Sequence, residues 1–85
     1  MPTVSRFFGI VIFFNYRDHA PPHFHARYGE DEVTVEIQGG AVTGRMSRRA
    51  LRHVLDWADL HQDALMRNWR LAREQKPLEP IPPLT

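Results

Sequence analysis

Apolar residues follow three different spacings along this chain. Phe7-Phe8-Gly9-Ile10-Val11-Ile12-Phe13-Phe14 is a continuous apolar run. Such a run fits a strand covered on both faces, and the first predicted strand spans Arg6 to Tyr16. After a loop from Arg17 to Pro22, His23-Phe24-His25-Ala26-Arg27-Tyr28 alternates polar with apolar, and so does Glu32-Val33-Thr34-Val35-Glu36-Ile37. Successive side chains of a strand point to opposite faces, so this period predicts two half-buried strands, His23 to Tyr28 and Glu32 to Ile37. Gly39-Gly40 marks a tight turn, because glycine accepts the positive φ of a primed hairpin, and a fourth strand follows over about Ala41 to Met46. The period then becomes helical. Leu51, Val54, Leu55, Ala58, Leu65, Trp69 and Ala72 form one stripe, broken at His61 and Gln62, with Ser47 as the N-cap. One long helix, or two parted near Leu60 to Gln62, satisfies that stripe. Lys76-Pro77 ends the helical part, and Pro77, Pro80, Pro82 and Pro83 predict an extended tail that lies along the domain or reaches a partner.

Register follows from the same pattern. A two-residue turn at Glu30-Asp31 sets Tyr28 opposite Val33, Ala26 opposite Val35 and Phe24 opposite Ile37. A second turn at Gly39-Gly40 sets Ile37 opposite Val42, Val35 opposite Gly44 and Val33 opposite Met46. The apolar face then closes across three strands, and a four-residue first turn of the same parity keeps the faces. On the other face lie His23, His25 and Arg27, then Glu36, Thr34 and Glu32, then Thr43 and Arg45. His25 is expected across from Glu36, and Arg27 across from Thr34. The fold class is therefore α+β: an antiparallel β-meander of about four strands, with one or two C-terminal helices on one face. It is read as a single domain, with the sheet in residues 1–46, the helical part in 47–76 and the tail in 77–85.

At 85 residues the chain is one small domain, and 42% hydrophobic residues argue against wholesale disorder. The absence of cysteine excludes disulfides and thiolate metal sites, and it fits a reducing, cytoplasmic setting. The apolar run near the start is far shorter than the roughly 20 residues a membrane helix needs, so no membrane span or signal peptide is expected. A net charge of +1 makes no global case for nucleic acid. The charges are nonetheless segregated. Glu30, Asp31, Glu32 and Glu36 form an acidic patch, and Arg45, Arg48, Arg49 and Arg52 a basic one.

Two imidazoles and a guanidinium on one strand face are the strongest chemical signal. With a carboxylate across the ladder, His23 and His25 can act as acid and base, Glu36 can orient a ring, and Arg27 can hold a phosphate oxygen. That set suits metal-free cleavage of an RNA phosphodiester. The same residues suit a metal site, and His23-Phe24-His25 followed by Glu30 is similar to the first metal motif of cupins. The second cupin motif is missing, so no metal and no other cofactor is assigned. A surface salt network remains the bland alternative. His19 beside Asp18 is a further candidate for the same site, whereas His53 and His61 read as structural. Arg48, Arg49 and Arg52 oppose the dipole of the helix they begin. With Arg45, and with the free N–H groups of a helix start, they make a phosphate or nucleic-acid contact. Trp57 falls off the main stripe, which leaves core packing and a protein-contact patch both open.

The opening Pro2-Thr3-Val4-Ser5-Arg6-Phe7-Phe8-Gly9-Ile10, the block from Asp18 to Tyr28, Arg48-Arg49-Ala50-Leu51 and the stretch Glu74 to Pro80 resemble a family of short bacterial proteins, domain of unknown function family 4160. The resemblance implies a small cytoplasmic protein often encoded beside a second small protein, in an arrangement like a toxin–antitoxin pair. It assigns no catalytic residue. The expectation is thus a toxin-like component of a two-protein module with ribonuclease chemistry at His23, His25 and Glu36 and phosphate contacts at Arg27 and Arg45, acting with a small cognate partner protein. The alternative is a non-catalytic binding module or antitoxin-like regulator that uses the arginine-rich helix start and the Pro-rich tail to contact a partner protein or nucleic acid. Self-association is left open.

Overall fold

A computed structural model describes residues 1–85. Five strands, β1 (Thr3–Phe7), β2 (Ile10–Phe13), β3 (His23–Tyr28), β4 (Asp31–Glu36) and β5 (Val42–Gly44), precede two helices, α1 (Arg48–Leu60) and α2 (Gln62–Arg73). The sheet is an antiparallel meander in the order β1-β2-β3-β4-β5. The α+β architecture matches the expectation, with one strand more. The extra strand comes from the apolar run, which folds back on itself rather than continuing. Phe8 and Gly9 both have positive φ, 50° and 79°, as a two-residue primed hairpin requires. Gly9 is the residue that makes the reversal cheap.

The faces are as the alternation implies, and the register is not. In β3 and β4 His25 lies opposite Thr34, Arg27 opposite Glu32, and His23 opposite Glu36. Every pair is displaced by two residues from the expected one. The turn is Gly29-Glu30, with Gly29 at φ 62° in the first central position, where glycine is favoured in a II′ turn. The next connection shifts likewise. Val35 pairs with Val42, and the Gly40 N–H donates to the Glu36 carbonyl at 3.0 Å across a longer loop. Slips of two keep apolar side chains on one face, so hydrophobic pattern cannot distinguish them.

Both helices cover one face of the sheet. Ile10, Ile12, Phe24, Ala26, Val33, Val35 and Ile37 pack there against Ala50, Val54, Trp57, Ala58, Leu65, Trp69 and Ala72. Ser47 caps α1, its hydroxyl accepting from the Ala50 N–H at 3.2 Å. The helical stripe breaks where expected, at His61, whose backbone N–H donates to Ala58. Trp57 belongs to the core, with no exposed surface, and its indole N–H donates to the Pro82 carbonyl at 2.8 Å. The proline-rich tail lies along the domain. Ile81 is buried and donates its N–H to the Val4 carbonyl at 2.8 Å, so the tail caps the free edge of β1. Asn68, fully buried on α2, exchanges two 2.8 Å hydrogen bonds with the backbone of Glu79. No helix is long and apolar enough to cross a membrane.

Candidate functional site

Alternation in β3 puts His23 and His25 on one face, and the loop after β2 returns Asp18 to meet them. Asp18 Oδ2 is 3.0 Å from His23 Nε2 and 2.9 Å from His25 Nε2. The three side chains are mostly buried, at 14%, 12% and 26% exposure for His23, His25 and Asp18. Burial raises the Asp18 carboxyl, but the His25 hydrogen bond, the charges of His23 and His25 and the His23 bond outweigh it, and its pKa falls below the ordinary value. The ligand atoms of Asp18, His23 and His25 all lie within 4.8 Å of one another, a spacing that suits a metal ion.

Each ring is also held from its far side. His23 Nδ1 is 2.9 Å from the Pro21 carbonyl, and its ring contacts Trp69 of α2 with centroids 5.1 Å apart. His25 stacks on Phe13, the two planes 13° apart and the centroids at 5.1 Å. Its Nδ1 faces Thr34 Oγ1 at 3.5 Å and Glu32 Oε2 at 3.5 Å, and its Nε2 also meets Asn15 Nδ2 at 3.3 Å. All four ring nitrogens therefore have partners. Phe13 is buried on the face the helices leave open, because His25 stacks on it and the Arg27 guanidinium lies 5.0 Å from its ring centre.

Several expected site residues stand elsewhere. Glu36 does not reach His25: the register places it across from His23, and Glu32 occupies the orienting position instead. Arg27 is held by Glu32 at 3.1 Å, which makes it a positioning group as much as a phosphate contact. His19 is exposed and outside the cluster. Arg48 and Arg52 lie together on α1, and Arg45 and Arg49 lie toward the Tyr28 end of β3, roughly 10 Å of strand beyond His25 and about 17 Å beyond His23. There Arg49 lines a cleft of about 410 Å³ with Phe8, Tyr28, Ser47, Ala50 and His53, and Arg45 borders another with Asp31. The histidine block and the basic helix start are therefore two separate places. Arg73, unmarked in the sequence, packs on Trp69 with its guanidinium 5.6 Å from the ring centre, and the same ring contacts His23. Asp18 was the missed member of the centre. Only its position five residues before His23, in a loop ended by Pro21-Pro22, hinted at it.

The family described as Domain of unknown function (DUF4160) matches residues 9–70, which hold β2 to β5, α1, most of α2 and the whole Asp18–His23–His25 cluster. The chain belongs to this family. The DUF4160 match ends before the docked tail and begins after β1, so the edge strand and its tail cover lie outside it. No curated protein and no solved structure matches the chain.

Proposed function

We propose that this protein is the toxin-like component of a bacterial two-protein module and cleaves RNA phosphodiester bonds at the Asp18–His23–His25 centre. The convergence of two imidazoles on one carboxylate oxygen, at 3.0 and 2.9 Å, carries this reading. Such a centre can activate a hydroxyl nucleophile beside a phosphate and stabilise the charge that develops. Holding three polar groups mostly out of water costs stability unless they are satisfied or used. Arg27, on the same strand face as His23 and His25 and stacked over the Phe13 ring that His25 also covers, takes the phosphate-contact role. Glu32 and Arg27 hold the His25 side of the centre in place.

The test is growth and total-RNA integrity after induced expression in bacteria. Wild type should arrest growth and degrade RNA, and Asp18→Asn or His23→Ala/His25→Ala should do neither. Harmless wild-type protein with intact RNA would remove the nuclease reading.

One observation favours a second role, as a non-catalytic binding module. Arg45, Arg48, Arg49 and Arg52 are exposed, and none takes part in the six ion pairs of the structure. Arg49 borders a cleft that also presents the exposed rings of Phe8 and Tyr28. In that reading, binding of RNA or of an acidic partner depends on Arg48, Arg49 and Arg52 and weakens steeply with salt, while the histidines are dispensable.

A further inference from the structure

We propose that Asp18 Oδ2, His23 Nε2 and His25 Nε2 are ligands of one divalent first-row transition metal ion, with zinc the best fit to the donor set. The first ground is a count of protons. His23 Nδ1 lies 2.9 Å from the Pro21 carbonyl, which can only accept, so Nδ1 carries the ring proton. In the neutral ring Nε2 then offers a lone pair, and it faces the Asp18 carboxylate, which also only accepts. His25 admits the same arrangement. Its Nδ1 lies 3.5 Å from the Glu32 carboxylate, which can only accept, and 3.5 Å from the Thr34 hydroxyl, and its Nε2 meets both Asp18 Oδ2 and the Asn15 amide nitrogen, a donor. With the His25 proton on Nδ1 toward Glu32, two imidazole lone pairs converge on the Asp18 carboxylate. A cation held by all three satisfies that arrangement without a second proton on either ring.

Distances supply the second ground. Zinc binds imidazole nitrogen at about 2.0–2.1 Å and carboxylate oxygen at about 2.0–2.2 Å, so neighbouring ligands stand roughly 2.9–3.4 Å apart between right-angled and tetrahedral geometry. The observed separations from Asp18 Oδ2 are 3.0 and 2.9 Å, and the two imidazole nitrogens lie within 4.8 Å of each other, a span one ion closes by a small rotation of the rings. The two rings approach from different directions, at 72° to each other with centroids 5.2 Å apart.

The surroundings are the third. A metal-bound histidine commonly donates its other N–H to a backbone carbonyl or a carboxylate, which fixes the tautomer and aims the ring. Pro21 does this for His23, and the Glu32 carboxylate stands 3.5 Å from the corresponding nitrogen of His25. Two imidazoles with one carboxylate favour zinc, iron or manganese over magnesium or calcium, which prefer all-oxygen sites. Three protein ligands and partial exposure leave a coordination position open, as in catalytic rather than structural zinc sites. An ion so placed can polarise a phosphate oxygen or a bound water, yet its binding does not require RNA to be the substrate.

The experiment is calorimetric titration of zinc chloride into the chelator-treated full-length protein, with cobalt(II) absorption as a second readout. Wild type should bind one zinc per chain, and cobalt should give the visible bands of a site with mixed nitrogen and oxygen ligands. His25→Ala should abolish both signals. Asp18→Asn, which keeps the side chain's shape if His25→Ala does not fold, should weaken zinc by more than about 100-fold, beyond the 10–100-fold usual for losing an outer partner. No zinc or cobalt binding by folded wild type would overturn the proposal, as would binding that Asp18→Asn leaves unchanged. Zinc binding by a protein that leaves RNA intact would uphold the site and discard the nuclease reading.

Discussion

Replacing Asn68 with alanine probes how the tail holds α2 beside the histidine centre. Asn68 has no exposed surface, and its amide both donates to the Glu79 carbonyl and accepts from the Glu79 N–H, each at 2.8 Å. Two such bonds are worth about 1 kcal/mol each net, and truncation also leaves Glu79 backbone groups without their partner. Water reaches exposed Glu79, so the extra cost is only part of a full desolvation penalty. The expected loss is about 2–3 kcal/mol, and at roughly 4–8 °C per kcal/mol for a domain of this size the Tm falls by about 10–20 °C. Asn68→Asp should be at least as harmful at neutral pH, because a carboxylate can still accept from the Glu79 N–H but sets its second oxygen against the Glu79 carbonyl. Urea unfolding followed by circular dichroism measures the loss. Amide hydrogen exchange at Ile81, whose N–H donates to Val4, reports whether the tail has come away. A stability change under about 0.5 kcal/mol with Ile81 still protected would refute the tail latch.

Three further outcomes are expected. Glu32→Gln removes the carboxylate facing His25 and Arg27, and it should weaken zinc binding about 10-fold or more while moving stability by under about 1 kcal/mol; unchanged zinc affinity would show that Glu32 does not aim the ring. Gly44→Ala should destabilise by about 2 kcal/mol or more in urea unfolding, since Gly44 has φ +103° and an added Cβ would sit 2.5 Å from the Glu32 carbonyl oxygen. Ser47→Ala should cost about 1 kcal/mol through loss of the α1 cap, whereas Ser47→Asp should retain most of it, both read by thermal unfolding.

Much of this architecture is written in local pattern. Alternation at His23 to Tyr28 and at Glu32 to Ile37 determined two strands and which residues share a face, because a strand's side-chain period is two whatever lies around it. The stripe from Leu51 to Ala72 and the Ser47 cap determined the helical half, and the interruption at His61 and Gln62 marked the break between helices. Tertiary structure decided how these pieces meet. Slips of two residues preserve every face, so turn geometry at Gly29 chose the register, and with it the exchange of Glu36 for Glu32 beside His25. Loop closure brought Asp18 onto both imidazoles, a contact that no period encodes. Strand length carried Arg45, expected as a phosphate contact beside Arg27, toward the Tyr28 end of the sheet, while Arg48, Arg49 and Arg52 form the separate cationic contact that the helix start implied. Sequence alone determined which chemistry this face can carry. The three-dimensional path of the chain decided which carboxylate completes it, because a site is assembled by distances that sequence spacing does not contain.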